Sequence, residues 1–111
     1  MKSYKQYLAQ LEKTYIDIPE NKRDIADELL RRLADVLVMM DECKAELDKH
    51  GCVTTQSRGD YEITKENPAS KLYDAKHKLM LSTMDKLDKM LPDESASRKD
   101  ELMEFLDDDA V

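Results

Sequence analysis

The chain has 111 residues, of which 39% are charged and 41% apolar, with a net charge of −7, two cysteines, two glycines and three prolines. That length supports one modest core, and the scarcity of turn formers and aromatics excludes a sandwich or barrel. Two cysteines exclude a disulfide scaffold, and no apolar run approaches the roughly 20 residues of a membrane span. The acidity is uneven: from Asp93 to Val111 eight acids face only Arg98 and Lys99, whereas Lys2, Lys5 and Lys13 make the first segment basic. With no apolar leader at the N-terminus, a cytoplasmic chain with reduced thiols is expected.

Tyr4, Tyr7, Leu8, Leu11 and Tyr15 recur at helical spacing, predicting a helix from Ser3 to Ile16. Ser3 is its expected N-cap, and Pro19 bounds it. A long helix follows, with Asn21 as expected cap and Gly51 as stop. Its expected core stripe is Ile25, Leu29, Leu33, Val36, Met40, Cys43 and Leu47, widened by Ala26, Leu30 and Leu37. About 29 residues at ~1.5 Å each give ~43 Å, longer than a compact domain of this size, so a partner chain is expected to cover part of it.

Val53-Thr54-Thr55 and Tyr61-Glu62-Ile63-Thr64 are β-prone and flank the turn-like Ser57-Arg58-Gly59-Asp60, which predicts a short hairpin. Asn67-Pro68 then opens another helix, Asn as N-cap and Pro in the first turn. Leu72, Tyr73, Leu79, Met80, Met84, Leu87 and Leu91 form its expected buried face, and Pro92 ends it. A last short helix carries Leu102, Met103, Phe105 and Leu106 before the tail Asp107-Asp108-Asp109. The fold class is mainly α: a long helical hairpin or antiparallel bundle with a small β-hairpin, assembled as an oligomer. Its organisation is an N-terminal helix (1–18), a core of two long helices joined by the hairpin (19–92), and a C-terminal helix with acidic tail (93–111).

The residues argue against catalysis. No glycine-rich phosphate loop exists, and no nucleophile has a base beside it in sequence. Asp74-x-x-His77 occurs once, where a di-metal bundle needs two copies of its motif. Cys43, His50, Cys52 and His77 lack the paired spacing of a zinc site. Arg58-Gly59-Asp60 matches an adhesion tripeptide but is also an ordinary turn. No metal, no cofactor and no membrane partner are expected.

Binding surfaces are more legible. Lys2, Lys5, Lys13, Arg58, Lys65 and Lys71 are the candidate phosphate contacts, the first three interleaved with Tyr4 and Tyr7. Met39, Met40, Leu47, Tyr73, Lys76, Met80 and Met84 are candidate assembly residues: Met39 falls off the main stripe, and Lys76 lies within the apolar face of its helix. On that helix Lys71, Lys78, Lys86 and Lys89 gather on one flank and Asp74, Asp85 and Asp88 on the other, a layout suited to head-to-tail packing of copies. Leu102, Phe105, Leu106 and Asp107 are the candidate surface for a further partner.

The succession of a long helix, Gly51, a short hairpin, Glu66-Asn67-Pro68-Ala69, an amphipathic helix, Leu91-Pro92 and Ser97-Arg98 resembles the small terminase subunits of tailed phages, specifically the P-twenty-seven-type family. The likeness covers about half of the chain. It departs at Lys89-Met90-Leu91-Pro92, where the family has a glycine in the loop, and at Asp93–Ser97, which shifts the arginine. The resemblance implies a non-catalytic, ring-forming adaptor that recognises viral double-stranded DNA. It also implies recruitment of the large terminase subunit, the ATPase and nuclease, in the cytoplasm of the infected bacterial host. The alternative is a helical dimer of antitoxin-like or chaperone-like kind that binds only proteins.

Overall fold

The computed structural model describes residues 2–59, 61–92 and 104–106. The chain is mainly helical, in the order α1 (Tyr4–Thr14), a single 3-10 turn (Glu20–Lys22), α2 (Arg23–His50), β1 (Val53–Arg58), β2 (Tyr61–Glu66) and α3 (Pro68–Met90). The molecule is a rod of 64 × 24 × 21 Å, as a 28-residue α2 requires at ~1.5 Å per residue.

Helix α1 starts at the expected Ser3. The Ser3 Oγ accepts from the Gln6 amide at 3.2 Å, and the Ser3 amide donates to Gln6 Oε1 at 2.9 Å, a reciprocal capping box. It ends at Thr14, two residues short of the expected Ile16. The reason is tertiary: Arg23 of α2 donates to the carbonyls of Tyr15 (3.3 Å) and Ile16 (2.6 Å), holding the chain where it turns. Asn21 is not the cap of α2. It lies in the 3-10 turn, and Lys22 occupies the cap position without a side-chain bond.

Helix α2 packs against both other helices, antiparallel to each. Its buried residues are Ala26, Leu30, Leu33, Ala34, Val36, Leu37, Met40 and Cys43. All but Cys43 share one core with Tyr7, Leu11, Tyr15 and Ile18 from the first segment and Met80, Met84 and Leu87 from α3. Ile25, expected in the core, is 63% exposed, and on α3 Leu72 and Leu79 are 47% and 46% exposed. A periodic stripe marks a face broader than two neighbours can cover, and the flanks of that face stay in solvent.

The hairpin forms as expected, with β1 and β2 antiparallel and in register from Val53–Glu66 to Arg58–Tyr61. Its strands are longer than predicted, because pairing continues up to the turn. Gly59 stands in that turn with a φ of +64°, which suits glycine.

The joint between α2, the hairpin and α3 converges on Asn67, a buried polar residue. Its Oδ1 accepts from the Ala69 amide at 3.1 Å, capping α3. Its Nδ2 donates to the Gly51 carbonyl at 2.9 Å, and its amide to the Cys52 carbonyl at 2.8 Å. Gly51 supplies the φ of +77° that lets α2 stop there. Asn67→Ala removes both side-chain bonds and should lower unfolding free energy by about 2 kcal/mol. Asn67→Asp keeps the cap acceptor, loses the donor and should cost less; urea unfolding distinguishes the two, and equal losses would show that the bond to Gly51 alone matters.

Two tyrosines of the first segment have opposite status. The Tyr7 hydroxyl donates to Asp41 Oδ2 at 2.5 Å. The Tyr15 hydroxyl is fully buried and has no hydrogen-bond partner among the described residues. Burial, reinforced by Asp88 and Asp85, pushes its ionisation far above the ordinary tyrosine range, so it stays neutral. Tyr7→Phe should destabilise by about 1 kcal/mol, while Tyr15→Phe should be neutral or stabilising by up to ~1 kcal/mol. Thermal denaturation of the pair checks this; a large loss on Tyr15→Phe would mean that the hydroxyl is satisfied.

Candidate functional site

The outer face of α1 carries the basic residues. At about 100° per residue, Lys5 and Lys13 fall on the side opposite Tyr7 and Leu11, which are buried; Lys2 stands just before the Ser3 cap. Lys5 and Lys13 are exposed and Lys2 is half-buried. Lys2 Nζ stands 4.6 Å over the Phe105 ring, a cation–π contact. Lys2, Gln6, Ala9, Gln10, Lys13 and Phe105 line an open groove of about 380 Å³ along this face.

The other candidate phosphate contacts lie elsewhere. Lys65 is exposed on β2. Lys71, near the start of α3, pairs with Glu66 at 3.7 Å, an exposed ion pair of small energetic weight. The Arg58 side chain lies outside the described residues. Tyr7 meets α2 at Asp41, ten residues or ~15 Å short of Gly51, where the hairpin begins. The basic residues therefore sit on three different elements, the α1 segment, β2 and the first turn of α3.

The candidate assembly residues divide as well. Met40, Met80 and Met84 are buried in the chain's own core and offer no surface, which corrects their assignment to an interface. They fill irregular space between helices, as an unbranched thioether does. Leu47, Tyr73 and Lys76 are half-buried near the hairpin end, where Tyr73 stacks on His77 at 6.3 Å between centroids. Met39 is 42% exposed. The residues missed from the sequence are Leu72 and Leu79, read as core and found on the surface; their seven-residue spacing, shared on α2 by Ile25, Arg32 and Met39, is the signal of an outer ridge.

Of the candidate partner surface, Phe105 and Leu106 are half-buried against the core, while Leu102 and Asp107 lie outside the described residues. Among the described residues no three His, Cys, Asp or Glu side chains gather as metal ligands. His50 binds Glu46 at 2.8 Å, Cys43 is buried and Cys52 exposed, both as free thiols. Burial and the neighbouring Glu42 push the Cys43 thiol up, against a smaller opposing pull from Lys76. Hydrogen bonds from Arg31 and Arg32 hold the Glu28 carboxyl below the ordinary carboxylate range, an exposed pairing on the helix surface.

No family model matches the sequence, and no curated protein or solved structure matches the chain. No helix among the described residues is long and apolar enough to cross a membrane. What the fold defines is a class: a mainly helical rod whose exposed side chains offer cationic and apolar contacts.

The thiols give a direct check of this arrangement. In the native protein Cys52 should react promptly with a disulfide reagent at mildly alkaline pH, and Cys43 only on unfolding. Simultaneous native protection of both thiols, lifted by a chelator, would instead indicate a shared metal.

Proposed function

We propose that the chain is a non-catalytic, oligomeric DNA-packaging adaptor of the small-terminase type, acting in the cytoplasm of an infected bacterial host. The observation that carries the reading is the exposed Lys5 and Lys13 on the outer face of α1, with Lys2 just before the helix. Lysines on one helix face meet phosphates through charge alone, without base contacts. An acidic net charge disfavours indiscriminate nucleic-acid binding, so contact is confined to that local face. The succession of long helix, Gly51, hairpin and Asn67-capped helix supports the same reading, because it carries the resemblance to these subunits. In this role the acid-rich sequence after Pro92 meets the large subunit, which supplies the ATPase and nuclease.

A second reading, a helical dimer that binds only proteins, draws on the exposed apolar Met39, Leu72 and Leu79. Apolar side chains contribute nothing to phosphate contact. Retention on double-stranded DNA across a salt series separates the two. Under the packaging reading the chain binds duplex DNA with a steep salt dependence. Reversal of Lys2, Lys5 and Lys13 to Glu then weakens binding and flattens the log–log salt slope by about 3, roughly one for each phosphate that a lysine no longer neutralises. Absence of DNA retention at low salt would leave the protein-only reading.

A further inference from the structure

The flank of α1 that carries Lys13 faces the C-terminal part of the chain. Gln6, Ala9, Gln10 and Lys13 lie within about 100° of one another around the helix and line the open groove together with Lys2 and Phe105. Phe105 and Leu106 pack against the common core, and Lys2 Nζ stands 4.6 Å over the Phe105 ring. The chain is thereby fastened at the Lys2 end of the groove. Lys13, exposed, stands at the other end. Glu12, the one acid within α1, points about 100° away from Lys13.

The residues that follow Leu106 are Asp107-Asp108-Asp109-Ala110-Val111. Three consecutive carboxylates thus begin two residues beyond the ring that meets Lys2. From Tyr4, the first residue of α1, to Lys13 is nine residues, or ~14 Å at ~1.5 Å per residue. The five residues after Leu106 span up to ~17 Å when extended, enough to run the length of the groove.

We infer that Asp107, Asp108 and Asp109 dock in this groove of their own chain and cover Lys13, so that the acidic segment and a phosphate polyanion compete for the same flank of α1. Charge and tether select this occupant. Carboxylates meet a cationic lining, and they are joined almost directly to a ring already seated at one end. An exposed ion pair is weak alone, but a segment tied to an anchored residue meets its site at high effective concentration. The small side chain of Ala9 leaves room for a strand of backbone, and the groove is open, so a polyanion can displace the segment. The inference rests on the packaging reading for the identity of the polyanion; the docking itself needs no nucleic acid.

Docking is tested by zero-length carbodiimide coupling of the full chain without DNA, with the joined peptides mapped by mass spectrometry. Lys13 should couple to the Asp107–Asp109 peptide at low salt and cease to do so at high salt. In a mixture of isotopically labelled and unlabelled chains, the joined peptides should carry one label, as contact within a chain requires. No coupling, or joined peptides of mixed label, would overturn the inference. Competition is tested by binding of a short DNA duplex and of inorganic polyphosphate at low salt. Asp107→Asn with Asp108→Asn and Asp109→Asn should tighten binding about tenfold, and Lys13→Gln should remove most of that gain. Asp24→Asn with Asp35→Asn and Glu42→Gln takes the same charge from exposed positions on α2 and should alter binding less than about twofold. Equal gains from the two triple variants would overturn the inference, as would no gain with either polyanion. Binding of polyphosphate but not of duplex DNA, with the gain intact, would sink the packaging reading and uphold the docking.

Discussion

The antiparallel register of α2 and α3 depends on one polar joint. Asn67 ties the carbonyl that ends α2 to the amide that begins α3, at 2.9 and 3.1 Å, while the hairpin loops out between them. A buried amide side chain has to satisfy both its donor and its acceptor, and this geometry does so in one alignment only. A shift of either helix by a turn would break the bond from Nδ2 to the Gly51 carbonyl and leave that buried donor unpaired, while the cap on Ala69 travels with α3. From that alignment follow the burial of Met80, Met84 and Leu87 against α2, and the heights at which every outward residue of one helix stands against those of the other.

Helix length acts with that register to divide the surface. The 11 residues of α1 cover only part of a 28-residue partner. Arg23 and the Tyr7–Asp41 bond hold α1 against α2 between its first turn and Asp41. The rod therefore has three helices at one end and two helices with a hairpin at the other. The cationic side chains of α1 face outward because Tyr7, Leu11 and Tyr15 face in. The apolar ridge of Met39, Leu72 and Leu79 remains outside because α1 lies on the other side of the α2–α3 pair. One arrangement thus separates a surface suited to phosphate from a surface suited to protein.

Much was legible from residue order, and the reason is locality. Ser3, Gly51 and Asn67-Pro68 act within a few residues of themselves: a hydroxyl that caps, a glycine that tolerates positive φ, an amide before a proline that cannot donate. The hairpin follows from β-prone segments around Gly59. The mainly helical class, the number and order of long helices and the basic outer face of α1 were therefore set by the sequence itself. The interface candidates Met40, Met80 and Met84 show where locality fails, because composition alone does not say whether a methionine fills a core or meets a partner.

Tertiary structure decided what neighbours decide. Periodicity marks a stripe but not the angle at which another helix meets it, so Ile25, Leu72 and Leu79 read as core and stand in solvent. The end of α1 at Thr14 comes from Arg23, eight residues beyond Tyr15, whose carbonyl it holds. The contact of Lys2 with Phe105 joins the two ends of the chain, and no spacing along the sequence encodes it. Short-range bonding chose the elements; the direction from which α1 approaches α2 chose which of their faces remain free to act.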